Sequence, residues 1–99
     1  MKKIEKYKLI EGQFSPSDSI NILFALFNSK INFHQLESFR IQETSNNSRL
    51  SSQHEQRALE LKEAYLLMKS IINKASEKNM DVEIYGNIEI VPVERNNEL

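Results

Sequence analysis

The chain has 99 residues, 39% of them hydrophobic and 27% charged, which suits one small folded domain and is too apolar for a disordered segment. A net charge of −1 provides no global field toward nucleic acid or acidic lipid. The absence of cysteine excludes a disulfide framework, a thiolate metal site and a cysteine nucleophile.

The opening MKKIEKYKLI is basic, but Glu5, Lys6, Lys8 and Glu11 interrupt the apolar run that a secretory signal needs. The most apolar window, Ile20 to Phe27, is about two helical turns long, against roughly 20 residues for a membrane span. A cytoplasmic location with no membrane partner is therefore expected. Asn46-Asn47-Ser48 matches the glycosylation sequon, a short pattern that chance supplies often.

Residues 2–13 read as a strand, with β-propensity from Ile4, Tyr7, Leu9 and Ile10. Their alternation is not clean, so the buried face is not assigned. Gly12 either ends the strand or marks a bulge.

A long helix is predicted from Ser15 to Thr44. Ser15 is the N-cap, Pro16 sits at the first helical position where its missing N–H costs nothing, and Asp18 falls at the third. At 100° per residue, Ile20, Leu23, Phe24, Phe27, Ile31, His34 and Ile41 share one broad face. Leu36 and Phe39 point away from it. The polar stretch 45–51 reads as the helix–helix loop, after which Ser52 and Glu55 form a capping box opening a second helix. Ala58, Leu61, Tyr65, Met68, Ile72 and Ala75 make a heptad-like seam, with Leu59 and Leu66 on the opposite side. The helix should end near Asn79 in a left-handed cap, with Lys74 and Lys78 at its negative end.

Residues 80–93 form the last strand. A two-residue hairpin at Gly86-Asn87 would place Ile84 opposite Glu89 and Glu83 opposite Ile90. One uninterrupted strand instead aligns Val82, Ile84, Gly86, Ile88 and Ile90, and is preferred. The order is β-α-α-β, a single domain over 1–93 followed by a frayed tail, 94–99. The fold class is α+β: a long antiparallel helical hairpin packed on a small antiparallel sheet. Folding about residue 48 pairs Ile31 with Tyr65, Phe27 with Met68 or Ile72, Phe24 with Ile72 and Ile20 with Ala75. Lys2, Lys3, Lys6 and Lys8 on the first strand complement Asp81, Glu83 and Glu89 on the last.

Two strands and two helices close little core, and a two-stranded ribbon is marginal by itself. Leu36, Phe39, Leu59 and Leu66 lie off the seams, so they are the expected interface of a two-fold homodimer. Asn28, Asn32 and His34 mark a polar groove that could take a small ligand, although a solvated face, and a partly buried histidine bonded to Tyr65 or to backbone, account for them as well. His54 fails the zinc-protease pattern, since Ala58 occupies the second histidine position, and reads as a first-turn surface residue. No nucleophile elbow or phosphate-binding loop is present, and the carboxylates are scattered. No enzyme activity, cofactor or metal is expected. The expected role is self-association or scaffolding, with an unidentified protein partner as an option. A nucleic-acid-binding accessory role, through Lys2, Lys3, Lys6, Lys8 and Tyr7, ranks second.

The combination of E-G-Q-F-S-P at Glu11–Pro16, S-K-I-N-F-H at Ser29–His34, a charged second helix and I-E-I at Ile88–Ile90 resembles a family of small bacterial proteins. The resemblance spans most of the chain. It implies a bacterial source and, since no activity is associated with that family, it transfers no site.

Overall fold

The structure, a computed structural model, describes residues 3–95. Lys2 and residues 96–99, within the predicted strand start and tail, lie outside the described residues. The order is β1 (Glu5–Phe14), α1 (Pro16–Thr44), α2 (Ser48–Glu77) and β2 (Val82–Ile90), with the two strands paired antiparallel. The expected α+β hairpin-and-sheet architecture is present, and β2 runs through Gly86-Asn87 without a turn.

The first helix begins as its sequence dictates. Ser15 has an extended backbone, and its Oγ accepts from the Asp18 N–H at 3.1 Å. That satisfies one of the donors a helix start leaves free. The second helix ends on Asn79, whose φ of +57° is the left-handed cap. Asn79 and Met80 return their N–H groups to the carbonyls of Ser76 and Ala75.

The helix connection corrects the sequence reading. Asn47 is the N-cap of α2, its side chain accepting from the Leu50 N–H at 3.1 Å, and Asn46 turns the chain at φ +53°. The loop is therefore 45–47 rather than 45–51. Ser52 and Glu55 lie inside the helix and form no capping box. An asparagine that can cap, preceded by one that tolerates the left-handed region, allows the earlier start. Starting five residues sooner moves the partners across the hairpin by one to two turns. Phe24 and Phe27 both meet the Tyr65 ring, and Ile31 packs with Ala58 and Leu61. These replace the pairings drawn from a fold point at residue 48.

In the ribbon, Tyr7 pairs with Ile88 and Lys8 with Asn87, but Ile10 pairs with Gly86. Leu9 is the extra residue of a bulge. The slip puts Tyr7, Ile10 and Phe14 on one face with Ile88, Ile84 and Val82, which explains the broken alternation. Gly12 is not the bulge. Its φ of +151° is a conformation that favours glycine. The opposite face is polar, and Lys6 reaches Glu89 at 3.5 Å as charge complementarity predicted.

The buried apolar set is small: Ile31, Ile41, Ala58, Leu61 and Ile72. The ribbon meets the hairpin through α1, and only sparsely. The result is a plate with Cα extents of 57 × 36 × 14 Å. Its radius of gyration is 17.6 Å, against about 13 Å for a compact chain of this length.

Candidate interaction surface and interhelical polar cluster

On one side of the hairpin, a groove of about 470 Å³ lies between α1 and α2. Phe24, Phe27, Ile31, Tyr65 and Leu66 supply its apolar lining, while Asn28, Asn32, Gln35 and Lys62 supply polar groups. The edge-on contact of Phe24 with Tyr65, centroids 5.7 Å apart, shapes its wall. Toward the loop, Phe39 borders a second hollow with Gln35, Ser38, Gln42 and Glu55. Gln35 lines both, so the groove and Phe39 lie on the same side.

The four residues expected at an interface are exposed: Leu36 by 68%, Phe39 by 62%, Leu66 by 61% and Leu59 by 49%. Leu59 and Leu66 are one heptad apart and so share a side of α2; Leu36 adjoins Asn32 and Phe39 at helical spacing. This side of the plate thus exposes a set of large apolar side chains interspersed with a short amide row along α1 and with Lys62 and Glu55 on α2.

His34 does not belong to that groove. Asn28 and Asn32 line it as expected, but His34 points into the seam between the helices. The shifted hairpin register sets it against His54, with the two Nδ1 atoms 2.9 Å apart. His54 is consequently half-buried in the seam rather than a surface residue of a first turn, and the partner of His34 is not Tyr65. One ring donates and the other accepts, so both cannot be protonated at this contact. Burial lowers the His34 pKa below its ordinary value, and the positive charges of Lys30, His54 and Arg57 lower it further. Its Nε2 is buried without a hydrogen-bond partner. Phe33 stands edge-on to both imidazoles, and Lys30 lies 4.7 Å from the Phe33 centroid. On the adjoining surface Arg40 forks onto Glu37, holding that carboxyl below its usual range.

One turn further toward the loop, Ser38 and Ser51 share a buried hydrogen bond of 2.7 Å. Gln42 donates to Ser51 at 2.7 Å, and Ser38 donates to Glu55 at 3.0 Å. The half of the seam near the loop therefore carries this polar cluster beside the buried Ile41, and most of the buried apolar side chains lie in the rest of the seam. Sequence reasoning missed this cluster because the fold point was placed too late. The pairs 34/54 and 38/51 correspond to a fold point near residue 44, about four residues before the one drawn from the sequence.

Among the described residues, no three histidine, aspartate or glutamate side chains gather as a metal-binding group. None of the described helices is long and apolar enough to cross a membrane. On and just before the first strand, Lys3, Lys6 and Lys8 lie within ion-pair distance of Glu5, Glu89 and Glu11. No family model matches the chain, and no curated protein or solved structure is found to be similar to it.

Proposed function

We propose that this chain is a non-enzymatic, self-associating interaction or scaffold module of the bacterial cytoplasm, active as a homodimer. The supporting observation is its surface. The chain presents 8163 Å² of accessible area, whereas a compact monomer of its 11.6 kDa mass presents about 5,800 Å². The difference exceeds the roughly 800 Å² that each partner buries in a standard interface. It coincides with large exposed apolar side chains on a side that also carries a groove.

The alternative, a nucleic-acid accessory using the basic strand, has less support, because Lys6 and Lys8 already face carboxylates. A mobility shift on duplex DNA that weakens steeply with salt would revive it. For the main proposal the decisive measurement is sedimentation velocity at micromolar concentration. A dimer is expected; a stable monomer overturns the reading.

A further inference from the structure

We infer that the groove between α1 and α2 receives the Phe39 side chain of a second copy, packed antiparallel across α1. This deepens the self-association reading and rests on it. The groove is concave and apolar at its base, and Phe39 is the exposed aromatic beside it on the same side of the plate. Knob and hollow are offset along one helix. From Phe39 to Asn28, at the groove, is about 16 Å at 1.5 Å per residue. A two-fold axis crossing α1 midway, at the level of Asn32 and Gln35, exchanges the two positions. Each Phe39 then enters the partner's groove, between its Phe24 and Leu66. A self-complementary patch of this kind is what a closed two-fold assembly requires.

The polar residues fit the same arrangement. Asn32 and Gln35 straddle the proposed axis, so each amide meets amides of the other copy. An amide carries both donors and acceptors, so such groups can satisfy one another in the buried centre. A polar position within an apolar interface fixes register, because any slip leaves it unpaired. The other side of the hairpin also exposes apolar groups, Phe33 and Ile71, but there Lys30 lies over Phe33 and the Glu37–Arg40 fork sits nearby. The area available exceeds what a stable dimer buries, as shown above.

The chain contains no cysteine, so a single introduced thiol reports one position. Gln35→Cys places it near the proposed axis. Ile71→Cys places it on the opposite side, since Ile71 follows the groove residue Lys62 by nine positions, half a turn around the helix. With a short bis-maleimide, Gln35→Cys is expected to give a covalent dimer and Ile71→Cys a monomer. Coupling through Ile71 but not Gln35, in a parent that sediments as a dimer, overturns the assigned face and leaves self-association standing. A monomeric parent overturns both, and fluorescence of an apolar dye in its groove would assign the hollow to a small ligand. Phe39→Ala supplies a second readout. Its dimer dissociation constant is expected to rise at least about tenfold, as for a buried aromatic anchor. Unchanged affinity with unchanged helical circular dichroism refutes the knob-in-groove contact.

Discussion

Acidification should loosen this hairpin through His34. The residue is buried at the contact with His54, and its pKa is lowered from 6.5 by burial and by Lys30, His54 and Arg57. Lys30 and Glu37 approach the pair from α1, and Arg57 from α2. The folded state therefore binds the His34 proton less readily than the unfolded chain. The consequence has a definite sign: as pH falls through 6.5 the unfolded chain takes up the proton first, and stability declines until the lower folded pKa is reached. One proton sets a ceiling of about 1.4 kcal/mol per pH unit, so the loss between pH 7.5 and 5.5 is at most about that amount. At 4–8 °C per kcal/mol for a domain of this size, the melting temperature falls by up to about 10 °C. The assay is thermal denaturation at fixed protein concentration across that range, on the native chain and on His34→Leu. The variant should lose the dependence. A native melting temperature that is flat from pH 7.5 to 5.5 would refute the reasoning, as would a full slope in the leucine variant.

Ile72→Ala removes a side chain only 4% exposed and should cost about 2–4 kcal/mol, read as a lower midpoint in urea at unchanged slope. Ser15→Ala leaves the Asp18 N–H without its cap and should cost about 1 kcal/mol, in the same measurement. Gly12→Ala should cost about 1–3 kcal/mol through backbone strain alone, because the added Cβ meets only the Phe14 ring at an ordinary 3.8 Å. A neutral melting temperature for that variant would show that the strand relaxes out of the positive-φ region.

The readable parts of the sequence were those in which one local choice had no competitor. Ser15-Pro16 followed by Asp18 admits one helix start, and the strand through Gly86 is decided by its flanking side chains. The start of α2 had two competitors. Ser52 with Glu55 satisfies a capping box, but Asn47 captures the helix five residues earlier, and the intervening Ser48-Arg49-Leu50-Ser51 contains neither glycine nor proline to prevent it. That single choice governed the candidate site, because an antiparallel pair transmits a boundary shift to every cross-helix contact. His34 was thereby placed against Tyr65 rather than His54. The Leu9 bulge escaped for a related reason: one inserted residue reverses the faces of half a strand without changing its composition. The exposure of Leu36, Phe39, Leu59 and Leu66 was legible because it depends on each residue's angle around its own helix and not on the cross-helix register.

The two halves of the seam divide the work of folding unequally. Near the strands, Phe27, Ile31, Leu61 and Ile72 bury apolar surface and contribute the hydrophobic term. Near the loop, Ile41 is the buried aliphatic of α1, and Ser38, Ser51, Gln42 and the histidine pair offer hydrogen bonds, each worth a net of about 0.5–1.5 kcal/mol. Such bonds specify which residues meet more than they hold the helices together. The loop half is also where Leu36, Phe39 and Leu59 are exposed, and each would gain about 1.5–3 kcal/mol on full burial. On the proposed dimer, the second copy adds apolar stabilisation to the half of the seam that is poorer in it. Linkage then requires the melting temperature to rise with protein concentration, because only the folded chain presents the matching face. The Phe39→Ala chain should lose most of that rise. A Phe39→Ala chain with the full concentration dependence would place the stabilising contact elsewhere on the plate.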